Sequence, residues 1–504
     1  MSLGTEPAIR RAFRLWVEDY LNDNNVRLIE LLRMSLSDDT IEKYWIDEIL
    51  TSVFRSDNCA YFFDSFEKEL LLNDGALFDK CLSAIETCCK ESFNLNNNKV
   101  LVPIGNGWKR ALLFISGHFQ QLDTVKLSII TFINDWYYKL LLKYNTVDAE
   151  EQEAAKSIVL HYIGEIENGS FVLSDKEQEK GLVTILFDLA SISQEEIKSL
   201  IRRCYDDEDK SWQLMSFYDK VKEKVLSGIG NTRLINGLPG LVIEVAWKEW
   251  KYTSKEDWLS DDEAFIMPNQ LSDDECWGIN VDHEFFPSGI YKTPLYDLLR
   301  QHPKDGLAFI VEFINYAVDF YVNATNVRYK HDIVKVDVII DDNAVESKYA
   351  CIELWMAYRG HSVTSYLLES LLMSLEKYLL EIARLKNEVS QGVLNYVFDY
   401  VIRNSNNVAP LAVLSSVTMA FPEEVGTSML PLFTVKEFYD WDLNRATYDL
   451  TALAPIDLMI PFAQKERFES NELPHRKKYR RGLLDFVLDY QFNIRILNKT
   501  RWRN

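Results

Sequence analysis

The stretch Tyr349–Lys386, YACIELWMAYRGHSVTSYLLESLLMSLEKYLLEIARLK, runs a strand-like segment into a polar corner and then into a long apolar helix. Between Val363 and Ala383 the apolar set (Tyr366, Leu367, Leu371, Leu375, Tyr378, Leu379, Ile382) is wide enough for burial on more than one side. A helix of that kind needs neighbours on several faces, and its first N–H groups need acceptors away from water. The corner Tyr358–Ser362, YRGHS, therefore reads first as a structural device. Gly360 permits a tight or left-handed turn, and Ser362 or Thr364 is placed to cap the helix. Arg359 and His361 repel one another there, but together they suit an acid or a phosphate, which makes both candidate ligand or partner contacts.

Outward from this helix the chain repeats the same texture. EPAIRRAFRLWVEDYL sets Ile9, Phe13, Trp16, Val17 and Leu21 in one stripe, and DDTIEKYWIDEILTSVF does so with Ile41, Trp45, Ile46, Ile49 and Leu50. Helix-like segments separated by short polar connections continue to about residue 228, which argues for helical pairs stacked side by side. No repeat period survives counting. The expectation is a mainly α protein, an irregular α-solenoid of stacked helical hairpins with one small β-hairpin, and compact helical domains are the alternative. Three regions are expected: a helical array over 1–228, an irregular acidic and aromatic connector over 229–292, and a helical region over 293–504.

The hairpin is expected near residues 333–355. Val334, Val336, Val338 and Ile340 alternate, DDNAVES turns the chain, and Tyr349–Leu354 returns as a strand. Asp341 or Asp342 followed by Glu346, Ser347 and Lys348 imitates the acid and Glu-x-Lys pairing of metal-dependent nucleases. On this reading those residues crowd into one turn and cannot build a two-strand site. The nearest imitation of a phosphate-binding loop, PIGNGWKRALLF over Pro103–Phe114, has the wrong spacing and no Ser or Thr after Lys109. Seven scattered histidines and seven cysteines, with only Cys88 and Cys89 adjacent, give no metal-ligand spacing. No metal and no cofactor is expected.

Composition narrows the function further. With 47% hydrophobic and 13% aromatic residues the 504-residue chain should pack over most of its length. No apolar run is long enough for a membrane span, and the N-terminus carries no apolar signal core, so a cytoplasmic protein with reduced thiols is expected. The net charge of −22 disfavours a general nucleic-acid platform. The tail His475–Asn504 is the exception, with nine Lys/Arg against two Asp/Glu. Its Arg476, Lys477, Lys478, Arg480 and Arg481 are candidate contacts, and pairing with acids of the same protein is the simpler reading.

Three stretches also carry a resemblance: LWMAYRGHSVTSYLLESLLMSLEKYLLE (Leu354–Glu381), VTMAFPEEVGTSMLPLFTVKEFYDWDLNRA (Val417–Ala446) and ELPHRKKYRRGLLDFVLDYQFN (Glu472–Asn493). They resemble the C-terminal helical region of very large bacterial STAND-type P-loop ATPases, proteins linked with anti-phage defence. The resemblance implies a region that senses or binds a trigger, downstream of an ATPase module. This chain has no Walker motif, so it is expected to be either a portion of a longer polypeptide or a freestanding relative. No catalytic residue carries over. The resulting expectation is a non-catalytic recognition scaffold with a protein partner or trigger and an upstream or separate ATPase module. A metal-dependent nuclease at 341–348 and a nucleic-acid-binding module using 475–504 are the alternatives.

Overall fold

A computed structural model describes residues 147–170, 176–206, 211–252, 275–280, 285–324, 330–341, 344–451 and 469–501, with parts of 109–137 and residue 466. The N-terminal helical stripes, the Cys88–Cys89 pair, the phosphate-loop imitation ahead of Lys109 and most of the acidic connector lie outside the described residues. The chain divides into two compact units, Met1–Lys224 and Val225–Asn504.

In the first unit the described helices are α1 (Leu127–Trp136), α2 (Ala149–Glu167), α3 (Lys176–Asp188), α4 (Gln194–Cys204) and α5 (Trp212–Val225), the last ending at the division. A reciprocal cap starts α2. Asp148 accepts from the Glu151 N–H at 3.0 Å and Glu151 returns the bond to the Asp148 N–H. Lys109 holds the same Asp148 at 2.6 Å, so the lysine of the phosphate-loop imitation is committed to a helix cap. Ile130, Ile133, Trp136, Ile158, Val159, Leu182 and Leu186 supply a buried core where α3 packs on α1 and α2. Glu167 ties α2 to α4 through Arg203 and to α5 through Tyr218, each at 2.8 Å.

The second unit is mainly helical with one small antiparallel hairpin. α6 (Thr232–Gly237) and α7 (Pro239–Trp250) occupy the stretch expected as irregular. Glycine and β-branched residues suggested a break there. Pro239 instead opens α7, and Val242, Val245, Ala246 and Trp250 at three- and four-residue spacings bury one face. Trp247 and Trp250 meet Phe309 and Phe313 of the long α9 (Pro303–Asn323), which follows α8 (Leu295–Gln301).

The hairpin joins β1 (Val334–Asp341) to β2 (Ala344–Ala350), with Val338 opposite Glu346 and Val336 opposite Lys348. β2 therefore begins inside the expected turn, so Glu346 and Lys348 stand on a strand. The expected strand to Leu354 stops at Ala350, because Cys351 caps the short helix α10 (Ile352–Met356). A single 3-10 turn, Ala357–Arg359, carries the chain into the corner.

After the corner come α11 (Tyr366–Arg384), α12 (Glu388–Asn404), α13 (Ala409–Ala420), α14 (Pro422–Val425), α15 (Lys436–Thr451), α16 (Pro474–Lys478) and α17 (Leu483–Arg501). α11 is the axis of the unit. Its buried residues run almost continuously from Leu367 to Leu380, and α8, α9, α12 and α13 all pack on it. That width of apolar surface is what YLLESLLMSLEKYLLEIA encodes. Among the described residues no helix is long and apolar enough to cross a membrane.

Candidate functional site

The corner takes its shape from Gly360, at φ 65 and ψ 38, the left-handed region a side chain disfavours. The cap of α11 is Ser365, whose hydroxyl accepts from the Leu367 N–H at 3.3 Å, and neither Ser362 nor Thr364 fills that role. The N–H groups of Val363 and Thr364 are met by Glu369, reaching back from the first turn at 2.8 and 3.4 Å. Glu369 has no exposed surface, and its second oxygen accepts from Ser288 at 2.6 Å.

Arg359 and His361 leave the corner in the direction of α15 and jointly meet an acid, Asp449. Arg359 Nε donates to Asp449 Oδ1 at 3.0 Å and His361 Nε2 lies 2.7 Å from the same oxygen. Arg359 is otherwise spent on Ser470, 2.6 Å away, and on the Asn471 side-chain carbonyl. Asp449 is one of three charged residues that α15 places on one face. Asp442, Arg445 and Asp449 stand three and four residues apart, and Arg445 bonds both acids, at 2.7 and 2.6 Å. Asp442 also accepts from the Trp355 indole at 3.1 Å and from the Leu483 N–H at 2.7 Å.

The basic segment arrives from the other side. Arg476 bonds Glu376 of α11, Ser416 of α13 at 3.3 Å and the Ser470 carbonyl at 2.6 Å. Glu376 also accepts the Ser416 hydroxyl proton. With that proton committed, His475, whose Nε2 lies 3.2 Å from Ser416 Oγ, must donate through Nε2–H as a neutral ring. Burial first, then the charges of Arg476, Arg445 and Arg359, push His475 down to about 2, which keeps it neutral. Burial alone would raise the Asp449 carboxyl. Arg359, His361 and Arg445 outweigh it and hold Asp449 well below the usual carboxylate range.

Three guanidinium groups and three carboxylates are thus interlocked, with Arg359, Arg445, Asp442 and Glu376 each at most 5% exposed. Beside them opens a cavity of about 530 Å³, lined among others by Arg445, Asp449, Asn471, Arg476, Lys477 and Arg480. Of the seven residues singled out in the sequence, five converge here. Arg359 and His361 form the wall behind Asp449, and Arg476, Lys477 and Arg480 line the opening. Lys478 instead pairs with Asp489 at 2.8 Å, and Arg481 uses its backbone N–H on Asp485, so neither lines the cavity.

The sequence reading missed Asp442, Arg445, Asp449 and Glu376. The Asp-x-x-Arg-x-x-x-Asp spacing in DLNRATYD was the available signal, since it sets alternating charges on one helix face. Glu376 carried a weaker one, an acid inside an otherwise apolar helix.

The hairpin does not form a comparable constellation. Lys348, 1% exposed, donates to the Ser405 carbonyl at 2.5 Å, and burial lowers its pKa. Glu346 and Lys348 stand on β2 and do not crowd into one turn with Asp341. The lysine is nonetheless consumed as a structural donor, and Asp341 faces Arg403 at 3.8 Å. Among the described residues no group of three His, Cys, Asp or Glu side chains is placed to hold a metal ion.

What the fold and the site define is a mainly helical protein whose second unit carries a buried charge network beside a cation-rimmed cavity. No family model matches the sequence, and no curated protein matches it closely enough to count as a relative.

Proposed function

We propose that this chain is a non-catalytic recognition region, the trigger-sensing part of a bacterial STAND-type defence ATPase system. In that reading the partner engages the rim formed by Lys477 and Arg480. The observation that carries it is that Arg359 and His361 hold Asp449, which lines the same cavity as Arg476, Lys477 and Arg480. Arg359 and Asp449 are 90 positions apart, and Arg476 reaches 100 positions back to Glu376. A partner that displaces the rim therefore works directly on an ion pair anchored in α11, the helix on which the unit is packed. Breaking one member of a buried pair costs about 3–5 kcal/mol, so small rim movements favour a concerted shift over local give. An ATPase module, upstream or separate, would read that shift.

The test is phage challenge of cells carrying the complete native system. Lys477→Glu with Arg480→Glu inverts two exposed rim charges and leaves the buried network intact. Loss of protection at unchanged protein level is the expected result. Protection equal to wild type across the phages the system normally stops would remove the rim from the contact. A wild-type system that stops no phage would overturn the defence reading.

A further inference from the structure

Arg476 lines the cavity with a side chain only 5% exposed. Its two terminal nitrogens are satisfied by Ser470, Glu376 and Ser416. Its Nε–H is not. That donor is buried and has no hydrogen-bond partner. A buried, charged N–H left unmet is costly, by more than the 1–3 kcal/mol of a neutral group, and such a vacancy in a packed site points to a ligand acceptor. Arg480, on the same lining, is exposed and has no ionic or hydrogen-bonded partner among the described residues. Lys477 is held only by an exposed pair with Glu472, the kind worth at most about 1 kcal/mol and easily exchanged.

The acids of the cavity do not oppose an incoming anion. Asp449 already accepts from Arg359, His361 and Arg445, so its charge is spent within the network. Glu472, also on the lining, is 68% exposed and its charge is paired with Lys477 in water. What lines the cavity is a set of three cationic side chains: Arg476, whose buried Nε–H is unmet, Arg480 and Lys477. A carboxylate offers two oxygens in one plane. A phosphate monoester offers three terminal oxygens spread around one centre and carries nearly two charges, the better match to donors from three directions. The volume, about 530 Å³, is in the range of small-molecule sites and exceeds what a lone phosphate fills. Tyr479, buried and set edge-on to Phe486 at 5.4 Å, gives this space a fixed aromatic wall.

We propose that the cavity between α15 and α16 is a binding site for the phosphate group of a small phosphate monoester, held by Arg476, Arg480 and Lys477. The long-range field of a −22 chain disfavours large polyanions, whereas a small dianion inside the cavity responds chiefly to cations within a Debye length of about 8 Å. The inference rests on the rim reading above and gives it a ligand: an occupant bound to Arg480 and Lys477 fixes the surface that the partner meets.

Calorimetric titration of the full chain in about 150 mM chloride tests it, with inorganic phosphate, adenosine 5′-monophosphate, adenosine and acetate as probes. Phosphate and the monophosphate should compete for one site, adenosine and acetate should give no heat, and Arg480→Ala should weaken binding at least about tenfold. Arg481→Ala, outside the cavity, should leave the affinity unchanged. Tighter binding of the nucleotide than of phosphate would assign the site to the ester, and the reverse order would assign it to the free ion. Absence of binding, equal binding of acetate, or full affinity in Arg480→Ala overturns the proposal. These outcomes are read without any partner, so they leave the recognition reading to phage challenge. Conversely, a Lys477→Glu/Arg480→Glu chain that loses phosphate and still protects counts against the recognition reading alone.

Discussion

Two buried titratable residues in the second unit pull its stability in opposite directions as pH changes. Glu369 is pushed up to about 7 by burial, despite the hydrogen bonds from Ser288 and the corner backbone. The folded chain keeps a proton there that the unfolded chain, titrating near 4.5, has released, so stability falls as pH rises from about 4.5 to about 7. His475 does the reverse. Held neutral when folded and protonated below about 6.5 when unfolded, it contributes stability that is lost as pH falls from about 6.5 towards 2. Between about 4.5 and 6.5 each changes stability by about 1.4 kcal/mol per pH unit, with opposite signs, so the two contributions cancel. Glu369→Gln keeps an acceptor for the Val363 N–H and turns its amide N–H to the Ser288 hydroxyl oxygen in place of the carboxylate that accepts from Ser288, and should uncover the histidine, with urea midpoints rising with pH across that window. His475→Asn should uncover the carboxyl, with midpoints falling. Flat profiles in both variants would show that neither group titrates as its burial demands.

At the scale of elements, the docking of α17 on α15 turns on one close approach. Gly482 precedes α17 at φ +64, and a Cβ there would lie 2.0 Å from Asp442 Oδ2, the oxygen that accepts the Leu483 N–H. Gly482→Ala must therefore adopt a disfavoured backbone, costing about 1–2 kcal/mol, and also push a buried carboxylate away from Arg445. A loss of about 3 kcal/mol or more in chemical denaturation is expected. Gly169→Ala, also at positive φ but with nothing within 4 Å of its added Cβ, should show only the backbone part, about 1 kcal/mol. Equal losses would mean that Asp442 yields freely. Elements were legible in the sequence where burial is one-sided or complete. α11 announces itself because apolar residues fill twelve of its nineteen positions, spread around more than one face, and β1 because Val334, Val336 and Val338 alternate. β2 was hidden because AVESKYA has a mostly polar, partly exposed surface that imitates a turn. α10 was hidden because five residues are too few to show a helical period. The corner could be seen to need an acid, but Asp449 lies 90 positions away, where no local spacing points back to Arg359.

For the whole molecule the decisive quantity is how the basic tail is used. Nine Lys/Arg in the last thirty residues, set on a chain of net charge −22, could serve as an outward nucleic-acid patch or as internal counter-charges. Of the five cations from Arg476 to Arg481, Arg476 pairs with Glu376, Lys477 with Glu472 and Lys478 with Asp489. Arg480 and Arg481 remain without an ionic partner among the described residues. Counterion release scales with the phosphates a protein neutralises, about 0.9 per contact on duplex DNA, so the two unpaired arginines of this segment contribute only about −2 to a slope in log K against log salt. The chain's overall field opposes even that. Fluorescence anisotropy with a labelled duplex should therefore find no binding at about 150 mM salt, and Arg480→Ala with Arg481→Ala should flatten any low-salt slope by no more than about 2. A slope that flattens by about 4 or more when all five cations of this segment are made alanine would require the paired ones to open towards DNA. Arg476 would then have to leave Glu376 inside the packed unit, at the cost of a buried unpaired charge. Such a result would move the tail from the interior network to a nucleic-acid surface. Weak, salt-insensitive behaviour leaves these cations where the ion pairs put them.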